Sequence, residues 1–296
     1  MRLKSAGLVI RNHHLVWGAR TYVMGIVNVT PDSFSGDGLL ARETSAVQAA
    51  LEQARGFVEA GADILDVGGE STRPGSQPVD ADQEMARVLP VIHALAEQFE
   101  TPISVDTYRA RVADAALQAG ACMVNDVWGL RADPELAAVA ASRGAPVILM
   151  HNRSSWVHAE VKDRLGGRYV GMQYQDLLED IRRELLESVA LAQAAGIPDE
   201  HILIDPGIGF GKTVEQNLEL IDRLAEIRSL GYPVLLGVSR KSFIGYTLDL
   251  PPDQRLEGTA AAVAIGIDRG ADIVRVHDVK ELVRVARMTD AIVRRD

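Results

Sequence analysis

The sequence has one cysteine in 296 residues, which excludes an internal disulfide and a thiolate metal cluster. That residue, Cys122, sits in an apolar run and reads as core packing in a reducing compartment. No apolar stretch approaches the roughly 18 residues of a membrane span, and Met1-Arg2-Leu3-Lys4-Ser5-Ala6-Gly7 leads into no signal-peptide core. A soluble, cytoplasmic protein without membrane association is expected. The charge excess is acidic, −10 at pH 7, so no nucleic-acid partner is expected and an anionic ligand must be met by a few local cations. No Pro/Gly/Ser-rich linker divides the chain. Its seven histidines form no His-x-His or His-Glu-x-x-His motif, so no zinc site is expected.

What is present is a core and a repeat. With 47% hydrophobic and 24% charged residues, the chain can bury one large α/β barrel or two smaller domains. Gly61-Ala62-Asp63-Ile64-Leu65-Asp66, Gly120-Ala121-Cys122-Met123-Val124-Asn125 and Gly270-Ala271-Asp272-Ile273-Val274-Arg275 share one frame. In each, a helical pattern stops at Gly, an apolar run follows, and a different polar residue stands five places after the Gly. A repeating β/α scaffold delivers such residues to corresponding strand ends.

Continuously apolar runs, the mark of parallel strands covered by helices, predict strands at Tyr22 to Val27, Ile64 to Val67, Pro102 to Val105, Met123 to Val127, Pro146 to Met150, Ile202 to Ile204, Pro233 to Val238 and Ile273 to Val276. Helical patterns lie between them, around 44–60, 81–98, 109–119, 134–143, 174–195, 214–229, 257–268 and 278–294. The expectation is α/β, a (β/α)8 TIM barrel with a short N-terminal β-hairpin, as one domain spanning 1–296. A doubly wound open sheet is the structural alternative. Two long connections, Thr30 to Gly38 and Gly68 to Ser76, leave C-terminal strand ends, where barrel enzymes carry working loops. Phe34 and Arg73 within them point to something that docks there.

Polar residues gather at those same ends: Asn28, Asp66, Asp106, Asn125 with Asp126, His151 with Asn152, Asp205, Ser239 with Arg240 and Lys241, and Arg275 with His277. Singly, each reads as a turn residue or helix cap; together they exceed what a stability-only barrel needs. Asp106, Asn125 and Asp205 supply acceptors and an amide donor, suited to a donor-rich heterocycle such as a 2-amino-4-oxo-pyrimidine edge. Lys241, Arg275 and His277 supply cations for an oxo group and an anion, and Arg275 can lie flat on a ring. Asp205-Pro206-Gly207-Ile208-Gly209-Phe210-Gly211-Lys212-Thr213 is neither a P-loop, which needs Gly where Pro206 stands, nor a dinucleotide fingerprint, whose third Gly falls on Lys212. Its glycines are expected to let backbone and Phe210 approach a flat ligand. Ser239 lacks a Gly-x-Ser-x-Gly elbow, which argues against a Ser/His/Asp hydrolase.

These segments resemble the dihydropteroate synthase family, folate-pathway enzymes that join a pterin-methyl pyrophosphate to 4-aminobenzoate. The resemblance is carried by Gly25 to Ser35, Asp66 to Gly75, Ser104 to Thr107, Val124 to Val127, Leu149 to Asn152, Asp205 to Lys212, Ser239 to Ser242 and Arg275 to Asp278, in the family's order. It implies a homodimeric pterin-binding barrel. Asp106, Asn125, Asp205 and Lys241 would hold the pterin, Arg275 would pack over it, and Met150, Phe210 and Gly237 would line the slot. Asn28 would help bind Mg²⁺ at the pyrophosphate, with Arg275 and His277 on the anion. Phe34, Thr72, Arg73 and Pro74 would shape the aminobenzoate site, with Ser242 near the carboxylate, which is the place of sulfonamide action.

The resemblance further assigns Asp106, Lys241, Arg275 and His277 to catalysis: Asp106 to cation stabilisation, Lys241 to orientation, Arg275 and His277 to the leaving group. Since the attacking arylamine is already neutral, a weak pH dependence is expected. Two departures stand out. Ser35-Gly36-Asp37-Gly38 replaces the more usual Ser-Asp-Gly-Gly, and Trp128 occupies a variable position. Two other functions use part of the pattern. A methyltetrahydrofolate-dependent methyltransferase needs no pyrophosphate site, against which Ser239 to Ser242 and Thr72-Arg73 argue. A non-catalytic pterin-binding paralogue is expected to have damaged loops, whereas Phe34, Thr72 and Arg73 are in place.

Overall fold

A computed structural model describes residues 3–29, 39–71, 79–155, 158–162, 164–170 and 172–295. The chain opens with an antiparallel hairpin, β1 (Gly7–Ile10) and β2 (His13–Val16), in register Gly7 to Val16 and Ile10 to His13. The barrel follows: β3 (Tyr22–Asn28), α1 (Leu39–Ala60), β4 (Ile64–Gly68), α2 (Ala81–Gln98), β5 (Ile103–Asp106), α3 (Ala110–Ala119), β6 (Met123–Asp126), α4 (Leu136–Arg143) and β7 (Val147–Met150). A second hairpin, β8 (Ala159–Lys162) with β9 (Gly166–Tyr169), precedes α5 (Leu177–Ala194) and β10 (Ile202–Asp205). Then come α6 (Val214–Asp222), α7 (Leu224–Arg228), β11 (Leu235–Leu236), α8 (Ser242–Leu248), α9 (Leu256–Asp268), β12 (Ile273–Val276) and α10 (Val279–Val293).

Eight strands pair in parallel in the order β10-β7-β6-β5-β4-β3-β12-β11. The remaining seam is closed by a parallel bridge between Ile204 and Val234, with the Ile204 amide donating to Pro233 O at 3.0 Å. The expected (β/α)8 barrel with its N-terminal hairpin is therefore the observed fold, and the open sheet is excluded.

The shared frame has a common physical basis. Gly61, Gly120 and Gly270 follow helices in the left-handed region, with φ of 99°, 119° and 104°. The amide after each donates back across the helix end: Ala62 to Phe57 O, Ala121 to Ala116 O and Ala271 to Gly266 O, at 2.9–3.0 Å. This helix-ending motif satisfies a terminal carbonyl and needs glycine for its φ. It launches β4, β6 and β12 in the same way.

The N-terminal hairpin closes the bottom of the barrel. Leu8, Ile10, Leu15 and Trp17 bury against Tyr22, Met24, Ile64, Met123, Ile148, Leu203, Leu235 and Ile273, near the starts of the strands. Val9 and Val16, on the alternate positions, face out. Helices pack a separate core onto the outer sheet surface.

Three features differ from expectation. The pattern over 214–229 divides at Arg223, whose amide closes the turn of α6 onto Glu219 O while its carbonyl starts α7 by accepting from Glu226 N. The two-turn α8 is too short to show periodicity. The hairpin β8–β9 has no apolar alternation because tertiary contacts hold it: Tyr246 OH donates to Gly166 O (3.1 Å), and Arg255 Nη2 to Leu165 O (2.9 Å). Lys162 and Arg168 lie over the Tyr246 ring at 5.6 and 4.8 Å.

Candidate active site

Side chains two apart on a strand share a face. Ile64, Met123, Leu203 and Ile273 belong to the bottom layer of the barrel, so Asp66, Asn125, Asp205 and Arg275 are the next residues inward on those strands. The three variable positions of the repeated frame meet. Arg275 Nε donates to Asp66 Oδ2 at 2.6 Å, and Asn125 Nδ2 donates to the same oxygen at 3.1 Å. Arg275 Nη2 donates to Asp106 Oδ2 at 2.6 Å. One guanidinium thus joins two carboxylates, its orientation set by both.

Beside this cluster, Asp205 accepts the Gly207 amide through Oδ1 at 2.7 Å. Lys241 Nζ donates to Ile208 O and lies 4.8 Å from the centre of the Phe210 ring. Gly237 makes the space between them: a Cβ there would stand 3.7 Å from Lys241 Nζ, 4.0 Å from Arg275 Cβ and 4.0 Å from Asp205 Oδ2. A side chain of any length at 237 would fill the slot that these groups face. Met150 pairs with Asp205 across the ladder and is buried beside it.

Three carboxylates (Asp66, Asp106, Asp205) oppose two cations (Lys241, Arg275). Burial, reinforced by the neighbouring Asp66 charge and resisted by Arg275, pushes Asp106 up to about 7. Burial also raises Asp205, against the pull of Lys241. Burial brings Lys241 down to about 8, with Asp205 opposing. It works against the charge on Arg275 too, yet Asp66 and Asp106 hold that guanidinium above the ordinary arginine value. The mouth is therefore a low-dielectric site with two groups titrating near neutrality, a condition that favours neither a flat pH response nor a permanently fixed charge.

His277 stands at the rim, Nδ1 3.0 Å from Ser239 Oγ, which also accepts the His277 amide at 3.1 Å. Asn28 ends β3 opposite Gly68 on β4. Ser242 is half-buried as the first residue of α8, directly after Lys241. Phe34, Thr72, Arg73 and Pro74 lie outside the described residues.

Other members of the expected ring turn away. Asp126 caps a tight turn, accepting from Trp128 N at 2.8 Å and Leu130 N at 2.5 Å. Asn152 bridges Val127 O and Ser154 N. Arg240 pairs with Asp278 outside the slot. His151 points beneath the site toward Lys212. The glycines of the 205–213 segment also act differently from expectation: at φ of 71° and 63°, Gly207 and Gly211 seat the loop on the end of β7. A Cβ at 207 would lie 1.8 Å from His151 O, and one at 211 would lie 2.4 Å from Arg153 C. Only Gly209, whose Cβ would sit 3.2 Å from Lys241 Cδ, borders the site.

A family profile described as pterin binding enzyme matches residues 24–277. The chain is 49% identical to the dihydropteroate synthase of Clostridium beijerinckii over 94% of its own length and 96% of the relative's. It is also 49% identical to that of Bacillus subtilis, over 94% and 90%. The chain belongs to the dihydropteroate synthase family. That family consists of transferases of folate biosynthesis. Among solved structures, a dihydropteroate synthase from Clostridium difficile in the presence of pteroic acid superimposes with a TM-score of 0.85 at 49% identity, covering 94% of this chain and 99% of that one. One from Xanthomonas albilineans with 4-aminobenzoic acid gives 0.85 at 40% identity, covering 98% of each.

Sequence reasoning placed Asp66 at a strand end without a role in the site; the structure makes it the acceptor that joins Arg275 to Asn125. Its position in the shared frame was the signal.

Proposed function

We propose that this chain condenses 6-hydroxymethyl-7,8-dihydropterin pyrophosphate with 4-aminobenzoate to give 7,8-dihydropteroate and pyrophosphate. One observation carries the reading: Asp205, Lys241 and the Asp66–Arg275–Asp106 cluster converge on the space left by Gly237. Asp205 and Asn125 offer acceptors and an amide to the amino-oxo edge of the pterin, and Lys241 offers a donor to its oxo group. Phe210 and Met150 supply apolar walls, and the face of Arg275 supplies a flat cationic surface.

The reaction breaks the bond between the pterin methylene carbon and a pyrophosphate oxygen, the electron pair leaving with the pyrophosphate. The arylamine nitrogen then bonds to that carbon, and its surplus proton passes to water. An arylamine is a weak nucleophile, so separating charge before attack moves the task to electrostatics. With all five groups ionised the site carries one net negative charge, whose groups are in place before the cation forms, which favours it without reorganisation. Positive charge developing on the pterin lowers the Asp106 pKa and keeps it ionised. Arg275 supplies positive charge to the departing anion, and His277 a ring N–H.

Among the described residues no group of three or more His, Cys, Asp or Glu side chains is arranged to hold a metal ion. Mg²⁺ needs none, because it commonly keeps water and phosphate oxygens and takes one or two protein donors. The Asn28 amide oxygen, a hard donor at a strand end, fits that role. When bound, Mg²⁺ would neutralise charge on the pyrophosphate.

The same reading takes residues 1–296 as one barrel domain acting in the cytoplasm as a homodimer, with sulfonamides as competitors of 4-aminobenzoate. Leu218, Leu248 and Ile265 are 43–48% exposed on the mutually packed α6, α8 and α9, an apolar face that supports a second copy there. No helix among the described residues is long and apolar enough to cross a membrane.

The test is product formation from the two substrates with Mg²⁺, wild type beside Asp106→Asn. Turnover that falls by about 10²–10³ in the variant is expected. Pterin pyrophosphate binding without turnover in the wild type would favour a non-catalytic paralogue instead.

A further inference from the structure

Lys212 is 1% exposed, and among the described residues its Nζ bonds two carbonyls and a ring nitrogen and no carboxylate. Its Nζ meets three groups: Gly207 O at 2.9 Å, Phe210 O at 3.0 Å and His151 Nδ1 at 3.0 Å. Burial drives the Lys212 pKa well below the ordinary lysine value, with Asp205 opposing; protonated, the nitrogen has three N–H donors and no acceptor and these contacts use it completely, and even as a neutral amine it donates to both carbonyls. A donating Lys212 requires His151 Nδ1 to accept, which puts the proton of the neutral ring on Nε2, 3.1 Å from Glu184 Oε2. Burial, aided by the charge on Lys212, takes His151 down to about 3, which keeps the ring neutral. Glu184 is in turn held by Arg153.

The segment that this lysine grips is a wall of the site. Asp205 begins it, Ile208 O accepts from Lys241, Gly209 lies against the Lys241 side chain, and Phe210 lies beneath the Lys241 ammonium. Gly207, Gly209 and Gly211 all have positive φ, so the loop backbone has little intrinsic preference for this path. Its carbonyls must be fixed from below, and Lys212 fixes two of them. Tyr174 OH holds a third point, Gly211 O, at 2.9 Å, and Asn217 Oδ1 accepts from Gly209 N at 2.6 Å.

We propose that Lys212 is a positioning residue for the pterin site, seated on His151 and fixing the Gly207 to Phe210 loop so that Asp205, Phe210 and Lys241 keep their places. The inference rests on the pterin reading above and extends it to a side chain that no substrate touches. Its signature is selectivity. Among the described contacts Arg275 bonds Asp66 and Asp106 and His277 bonds Ser239, none of them in this loop, so the anion end of the site stays intact when the loop loosens.

The test measures two affinities by calorimetry on the full chain: 6-hydroxymethylpterin alone, and inorganic pyrophosphate with Mg²⁺. Lys212→Met keeps the length and removes the donors. Loss of one or two net hydrogen bonds' worth of preorganisation predicts pterin binding weaker by about tenfold, with pyrophosphate binding unchanged within about twofold. His151 provides an independent pair. In His151→Asn the amide oxygen can stand where Nδ1 does, so pterin affinity should stay within about threefold of wild type, whereas His151→Leu removes the acceptor and should weaken pterin alone. Should Lys212→Met not fold, this pair decides by the same ratio. Wild-type pterin affinity in Lys212→Met and His151→Leu, or equal loss for both ligands, would overturn the inference. Absence of pterin binding by the wild type would sink the pterin reading and this inference together.

Discussion

At the N-terminal end of the barrel stand Met24, Ile64, Met123, Leu203 and Ile273, sealed by a hairpin; two residues further along four of those strands stand Asp66, Asn125, Asp205 and Arg275. One step of the strand's period separates a dry apolar layer from a cluster of charges. The lower layer needs shape and volume, and any well-packed apolar set serves it. The upper layer needs particular atoms at particular places, and it is a net cost to folding, because each ion is desolvated before its partner compensates. The seal explains how the two coexist: with the bottom closed by Leu8, Leu15 and Trp17, the charged layer opens in one direction only, so its field is concentrated where a ligand enters.

The comparison breaks most visibly at Arg275. Arg275→Met leaves Asp66 and Asp106 without their shared cation. Dihydropteroate formation should fall by at least about 10³, beyond the loss of a single positioned donor, and urea unfolding at pH 7 should show about 3–5 kcal/mol less stability. A variant that loses the stability but keeps the turnover would make the upper cluster another piece of core.

At the opposite end the effects should separate. Leu15→Ala in the plug should cost about 2–5 kcal/mol of stability while kcat and KM of the folded protein stay within about twofold. Chemical denaturation and steady-state kinetics on one preparation decide it. A reduced kcat in fully folded protein would mean that packing at the bottom is transmitted to the mouth.

The pH response concerns the upper layer alone. Asp106, raised to about 7, must be ionised to pair its charge with Arg275 and to favour positive charge, so kcat/KM should fall by about tenfold per unit below that value. Lys241, lowered to about 8, must keep its proton to donate, so kcat/KM should fall again above it. The free enzyme should therefore show a narrow bell. Asp106→Asn should remove the acid limb and leave the alkaline one; a wild-type profile flat from pH 6 to 9 would show that neither group titrates in the working range.

The sequence disclosed these two layers unequally. Apolar runs of four or five residues between helical patterns reported the barrel because parallel strands bury both faces. The frame Gly61 to Asp66, with its counterparts at 120 and 270, reported strand ends because only glycine ends those helices in the left-handed conformation. The acceptors and cations of the mouth followed from those ends. What stayed hidden depends on contacts distant in the chain. Asp126 and Asn125 are neighbours in sequence, and only the pleat tells that one caps a turn while the other faces the slot. Lys212 looked like a failed phosphate lysine because nothing local reveals that its ammonium faces downward onto His151, 61 residues away. The hairpin β8–β9 has no apolar alternation to announce it, since Tyr246 and Arg255 hold it from outside.

The smallest expected effect tests whether the plug has one working face. Val9 and Val16 are 56% and 51% exposed, while Leu8, Ile10 and Leu15 at alternating positions are 2–3% exposed. Threonine keeps the branched shape and strand preference of valine, so Val9→Thr should change stability by no more than about 0.5 kcal/mol. Val9 and Leu15 lie on the paired strands β1 and β2, so the contrast with Leu15→Ala lies in which face of the hairpin is touched. A loss above about 1 kcal/mol that grows with protein concentration would instead mean that the outer face is covered by another copy. The hairpin would then seal the barrel with one face and join protomers with the other, and the proposed self-association surface would move from α6, α8 and α9 to the bottom of the barrel.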